Sequence, residues 1–177
     1  MIVRLAVHAD IPAMSAIMDA SVRELQRGDY TPAQIQNGLR SVYAIDPRLI
    51  DDGTYFAVEA PDGAMVGCGG WSRRQAVHGG DVFAGRGDGV LDPAIDAAKI
   101  RAFYVHPAHA RQGVGSLLLA ACERAAQAAG FTRLEMGATI TGVRLYERHG
   151  YREVRRESLA LPEGESLPIV IMTKSMA

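Results

Sequence analysis

The sequence predicts one α/β domain. Its 177 residues suffice for one sizeable core, with 48% apolar and 22% charged residues. Segments with strand alternation and segments with helical spacing follow each other along the chain. No linker, repeat or low-complexity stretch interrupts them, so one domain over residues 1–177 is the economical reading.

Ile2 to Val7 is a short apolar run and reads as the first strand. The next segment, "HADIPAMSAIMDASVREL", places Ile11, Met14, Ile17, Val22 and Leu25 on one face at helical spacing. Asp10 is suited to cap that helix, and Pro12 fits its first turn. Core packing accounts for its methionines. "YTPAQIQNGLRSVYAID" reads as a second helix, capped by Thr31 with Pro32 at its first position and ended by Asp46-Pro47. Thr54 to Ala60 and Ala64 to Ser72 alternate around Pro61-Asp62-Gly63, which is a hairpin signature.

Arg73 to Ala97 shows no sustained periodicity and is rich in Gly and Asp, so it reads as a long loop, either mobile or functional. Its Arg86-Gly87-Asp88 is read as coincidence. Lys99 to Val105 is a strand closed by Pro107. From Gly113 a helix carries Val114, Leu117, Leu118, Cys122, Ala125 and Ala129 on its apolar positions and ends at Gly130. "FTRLEMGAT" is a strand with Leu134, Met136 and Ala138 on one face. Thr141 caps a short helix, "GVRLYERH", and "YREVRRESLAL" and "LPIVIMTKS" are the last two strands.

Charge and cysteine content narrow the function classes. A net charge of −1 gives no electrostatic case for nucleic acid or an anionic membrane surface. No apolar run is long enough to span a bilayer, and "MIVRLAVHAD" meets charge too soon for a signal peptide. Cys68 and Cys122 stand in no metal or redox spacing and read as small core residues of a reduced, cytoplasmic protein. His106 and His109 lack a third ligand, so no metal is expected.

The chemistry is concentrated between His106 and Gly130. Strand, turn, Gly113-x-Gly115 and helix form a design for holding an anion, because the first N–H groups of a helix lack intrahelical partners and face the positive end of its dipole. Both glycines would let backbone approach a phosphate, and Arg111 adds a positive charge. The cradle is thus Arg111, Gln112, Gly113, Val114, Gly115 and Ser116. The glycines alone could equally serve the turn. A dinucleotide fingerprint is disfavoured because Leu118 stands where a third Gly or Ala is needed, and Gly115-Ser116-Leu117 is no P-loop.

The stretch "RAFYVHPAHARQGVGSLLLAACERAAQAAGFTRLEMGATITGVRLYERHGYREV" resembles the acetyl-CoA-binding half of the GNAT superfamily of N-acetyltransferases. Val105 and Pro107 match its strand-closing turn. Gly113 and Gly115 match its Arg/Gln-x-x-Gly-x-Gly/Ala loop. Leu145-Tyr146 and Gly150-Tyr151 match its Leu/Phe-Tyr-x-x-x-Gly-Phe/Tyr pattern. Ala110 stands at the motif's first position, with Arg111 one place later, and Thr139 replaces a frequent Asn. Gly142 replaces a usual Ala.

The resemblance implies a GNAT-like fold: a mixed, mostly antiparallel central sheet of about seven strands flanked by about four helices and splayed at the acetyl-CoA site, with residues 98–155 as the cofactor-binding core. It implies acetyl transfer from acetyl-CoA to an amine of a small molecule or protein by direct attack. Phe103, Tyr104 and Val105 would hold the pantetheine arm and thioester, with Thr139 nearby, and the cradle would hold the pyrophosphate. Tyr146 falls at the family's general-acid position. Glu135, Glu59 and His106 are candidate bases, Glu135 being preferred, and water could serve a weakly basic amine. Glu24, Asp29 and Tyr30 lie where acceptor recognition is expected. A non-catalytic CoA-sensing module is the alternative, and a homodimer is left open.

Overall fold

The computed structural model describes residues 1–75 and 89–176. Seven strands form one sheet: β1 (Ile2–Leu5), β2 (Tyr55–Glu59), β3 (Met65–Ser72), β4 (Ala98–Val105), β5 (Arg133–Thr139), β6 (Arg152–Ala160) and β7 (Ser166–Ser175). Their spatial order is β1-β2-β3-β4-β5-β7-β6. All neighbours run antiparallel except β4 and β5, which are parallel. Five helices complete the described fold: α1 (Ile11–Leu25), α2 (Pro32–Ser41), α3 (Pro47–Asp51), α4 (Val114–Ala128) and α5 (Val143–Arg148). None is long and apolar enough to cross a membrane.

The sheet is covered on both faces, which is why β7 reads as a continuous apolar run rather than an alternating one. Ile169 and Ile171 face a core with Met14, Ile17 and Tyr55, while Val170 and Met172 face one with Leu119, Cys122 and Leu134. Leu118 and Leu119 of α4 are fully buried, worth roughly 1.5–3 kcal/mol each. Both cysteines are free and buried, as read from the sequence.

Two local expectations differ. Thr31 does cap α2, accepting from the Gln34 main-chain N–H at 3.2 Å while the Gln34 side chain accepts from the Thr31 N–H at 2.9 Å. That helix stops at Ser41, however, and Asp46-Pro47 begins α3 instead of ending α2. The Asp46 carboxylate accepts from the Arg48 N–H at 3.1 Å, and Pro47 occupies the first turn. Asp10 makes no cap bond to α1. Its carboxylate accepts from the Val7 N–H and from Arg4 of β1, which it holds at 2.7 Å.

The ends of the predicted loop are paired. Arg74 bridges to Val90, Leu91 donates its N–H to the Arg73 carbonyl, and Gln75 donates to that of Gly89. The Arg86-Gly87-Asp88 tripeptide lies outside the described residues.

Candidate active site

The one parallel pair is also the shortest. Strands β4 and β5 are in register only at Ala98–Leu134 and Lys99–Glu135. Beyond Lys99 they diverge, and the edge of β4 that faces β5 loses its strand neighbour. Main-chain polar groups need partners once water is excluded, so such an edge is a ready template for the amides of a bound ligand.

A bulge shapes that edge. Cys68 pairs with Tyr104 and Gly70 with Arg101, so Ala102 and Phe103 on β4 stand opposite Gly69 alone. Ala102 takes the left-handed region at φ +55°, costly for a residue with a Cβ. Two features hold it there. The hydroxyl of Tyr55, a fully buried residue, donates to the Ala102 carbonyl at 3.1 Å. Gly69 leaves room for the Phe103 ring, since a Cβ there would lie 2.7 Å from Phe103 Cδ2. The sequence signal for the bulge was the glycine-rich run of β3, which reads equally as an ordinary hairpin strand.

A cavity of about 110 Å³ occupies the gap. Phe103 and Tyr104 of β4, Thr139 of β5 and Tyr146 of α5 line it. Tyr146 packs edge-on against Phe103 at 6.3 Å and Tyr151 at 5.8 Å between ring centroids. Burial pushes its phenol well above the usual range, so the hydroxyl stays protonated at neutral pH. Among the described residues it has no hydrogen-bond partner.

The expected cradle is the turn that opens α4. Arg111 and Gly113 both take positive φ, +65° and +88°. Gly113 is the N-cap of α4, and glycine alone adopts that conformation without strain. The Gln112 amide donates to the Ala108 carbonyl at 3.0 Å and closes the turn. The first N–H groups of α4, from Val114 to Ser116, face outward with the helix dipole behind them. Arg111 is exposed and makes no ion pair among the described residues. A diphosphate fits such a cradle.

Gly115 has a packing role that the sequence did not show. A Cβ there would stand 2.9 Å from Leu145 Cδ2. Its missing side chain lets α5 close on α4. Ser116 makes the second tie between these helices, its Oγ lying 2.9 Å from His149 Nε2.

The other candidates fall elsewhere. Glu135 sits at the closed end of the divergence, bonded to Lys99 at 2.8 Å, and does not line the cavity. Glu59 is on the far side of the sheet, held by Arg4 at 2.6 Å. His106 is a turn residue whose Nδ1 accepts from the Ala108 N–H. Glu24 is exposed. Asp29 accepts from the Thr141 hydroxyl at 2.6 Å, and the buried Tyr30 hydroxyl accepts from the Ile140 N–H and donates to the Pro168 carbonyl. These two residues tie the segment between α1 and α2 to the turn after β5 and to β7. Sequence reasoning missed Gln26, Tyr43 and Arg101, which do line the cavity. None belongs to a motif, and only the fold brings them together.

The family model of the acetyltransferase (GNAT) domain matches residues 51–153, more than half of the chain. This chain belongs to the GNAT acetyltransferase family. Among solved structures this acetyltransferase is similar to the GCN5-related N-acetyltransferase of Rhodopseudomonas palustris, at 23% identity and a TM-score of 0.72 over 99% of this chain and 95% of that one. It is similar to the ribosomal-protein-alanine N-acetyltransferase of Brucella melitensis, at 19% identity and 0.65 over 99% and 100%. It is also similar to the paia N-acetyltransferase of Thermoplasma acidophilum in complex with coenzyme A, at 13% identity and 0.66 over 98% of each chain. At these identities the likeness is one of fold. No curated protein sequence matches the chain. The seven-stranded, mostly antiparallel open sheet expected from the resemblance is the observed one, with α3 as a fifth helix.

Proposed function

We propose that the chain is a single N-acetyltransferase domain that moves an acetyl group from acetyl-CoA to a primary amine, with residues 98–155 holding the co-substrate. The observation that supports this reading is the divergence of β4 from β5, where Phe103, Tyr104, Thr139 and the protonated Tyr146 line one cavity. The helix that follows β4 opens at the left-handed Gly113, with its first N–H groups lacking intrahelical partners.

Acetyl-CoA supplies an activated thioester. The chain's own residues then have four tasks. The N–H groups from Arg111 to Ser116 hold the pyrophosphate. The gap-facing main chain of Phe103 to Val105 pairs with the pantetheine amides and orients the carbonyl, with Thr139 on the opposite wall. The bulge at Ala102 fixes that orientation. Tyr146 gives its proton to the sulfur as the C–S bond breaks and the amine nitrogen bonds to the acetyl carbon. The proton lost by the amine leaves through water, since among the described residues no carboxylate or imidazole lines the cavity. The amine must therefore arrive neutral.

Calorimetry with CoA tests the reading. The wild type should bind, and Gly113→Ala should bind more weakly because a Cβ is strained at φ +88°. Absence of binding by the wild type would overturn it. Release of CoA thiol that depends on an amine separates an enzyme from a sensing module.

A further inference from the structure

We infer that Tyr55 is a positioning residue for acetyl transfer: reaching across β3 from β2, its hydroxyl holds the Ala102–Phe103 peptide of β4 in the turned orientation that presents the strand edge to the thioester. The inference rests on the acetyl-transfer reading above. It adds to that reading a residue that does not line the cavity.

The first observation is the path from β2 to β4. Strand β3 lies between them, and Tyr55 pairs there with Gly70, which pairs in turn with Arg101. A side chain at position 70 would close this path. Its Cβ would stand 3.0 Å from Tyr55 Cδ2 and 2.9 Å from the Thr54 carbonyl oxygen. Successive strand residues point to opposite faces, so Gly69 and Gly70 clear opposite faces of β3. Gly69 makes room for the Phe103 ring, and Gly70 makes room for the Tyr55 ring in the core with Met14 and Ile17. The bulge of β4 is thus gripped from both faces.

The second observation is the bond itself. Tyr55 is fully buried, and burial pushes its phenol well above the usual range, so it keeps its one proton. The Ala102 carbonyl accepts that proton at 3.1 Å. Cys68 Sγ, at 3.8 Å from the same hydroxyl, is a weak acceptor and a poor competitor for it. No water reaches this place to replace the phenol, so the hydroxyl is the carbonyl's partner or nothing is.

The third observation is what the bond holds. Ala102 sits at φ +55°, which a residue with a Cβ adopts only at a cost. The bond from Tyr55 offsets that cost. The Ala102–Phe103 peptide is trans, so its C=O and N–H point in opposite directions. A carbonyl turned to Tyr55 sends the Phe103 N–H away from it, and Phe103 lines the cavity and packs against Tyr146. Without the hydroxyl, Ala102 relaxes toward extended backbone and the peptide turns. The β4 edge then no longer matches a thioester whose diphosphate is held at the start of α4.

The test is Tyr55→Phe, which keeps the ring beside Gly70 and removes the hydroxyl. Measured well below Tm, kcat should fall about ten- to hundredfold, the range of one lost buried hydrogen bond with its strained peptide released. Calorimetric affinity for CoA should stay within about threefold, because the start of α4 is untouched. A purely structural role would lower Tm and leave kcat per folded molecule as in the wild type. Acetyl-CoA carrying ¹³C at the acetyl carbonyl, bound without amine, should give a carbonyl resonance that differs between wild type and variant. Ala102→Gly removes the Cβ cost at positive φ, so adding it to Tyr55→Phe should recover kcat by at least about threefold. If Tyr55→Phe alone does not fold, the comparison is made within Ala102→Gly, where loss of the hydroxyl should still lower kcat by at least about threefold. A folded Phe variant with kcat within about twofold of its parent, an unmoved carbonyl resonance, or no recovery with Ala102→Gly would overturn the inference. Failure of the wild type to bind CoA is a separate result, and it overturns the acetyl-transfer reading beneath.

Discussion

Replacing Tyr146 by Phe removes one proton and little else. The ring keeps its edge-on contacts with Phe103 and Tyr151, and its hydroxyl has no partner among the described residues to be orphaned. Stability should therefore change by less than about 1 kcal/mol, or roughly 2–4 °C in Tm for a chain of this size. The rate effect is larger. General acid catalysis contributes roughly 10²- to 10⁴-fold. Burial places the phenol above its usual pKa of about 10, while a thiol lies near about 8.5. Full transfer is thus uphill by at least about 2 kcal/mol, which puts the expected fall at the low end. We expect kcat to drop about ten- to hundredfold, with KM for acetyl-CoA nearly unchanged. A steady-state thiol assay and a melting curve measure both quantities. A folded Phe variant with full kcat would refute the reasoning and leave solvent as the acid.

Gly115→Val should destabilise by about 1–3 kcal/mol by forcing a side chain onto Leu145. In a Leu145→Ala background most of that cost should vanish, and a double-mutant coupling near zero in urea unfolding would contradict the packing account. Glu135→Gln should leave kcat and its pH profile within about twofold of wild type, while lowering stability by about 1–3 kcal/mol through loss of the Lys99 partner; a tenfold or greater fall in kcat in a folded variant would make Glu135 the base. Asp10 and Asp52 are held below the usual carboxylate range by bonds from Arg4 and Arg74. Burial opposes the same shift at Asp46, but bonds from Arg48 and the field of Arg101 outweigh it. Because these folded pKa values are depressed, the stability they add is complete above about pH 4 and is lost as pH falls through them. A Tm that stays flat down to about pH 2 would refute this.

Much of the fold is written locally. Thr31, Pro32 and Gln34 form a cap that any reader of the sequence can place, and the alternation of Leu134, Met136 and Ala138 marks β5 and its inward face. The Gly113 start of α4 was legible for the same reason, since Gly113 and the helix after it are contiguous. Helix α3 was not, because Asp46-Pro47 ends one helix as well as it begins another and only tertiary packing of Leu49 decides. The purpose of Gly115 was hidden too, since its neighbour Leu145 lies 30 residues on. Arg101 carried no signal at all: an arginine in the middle of a strand reads as a solvated face until the fold buries it beside Asp46. The bulge at Ala102 depends on pairing between strands and on a hydroxyl from Tyr55, neither of which spacing reveals.

The most direct test of acetyl transfer is to supply acetyl-CoA labelled at the acetyl carbonyl together with a panel of primary amines, and to follow label and thiol in the same reaction. The account predicts that the label appears as an amide on the amine in amounts matching the CoA thiol released, and that omitting the amine stops both. Thiol released without amide, or no release with any amine while CoA binds, would contradict it.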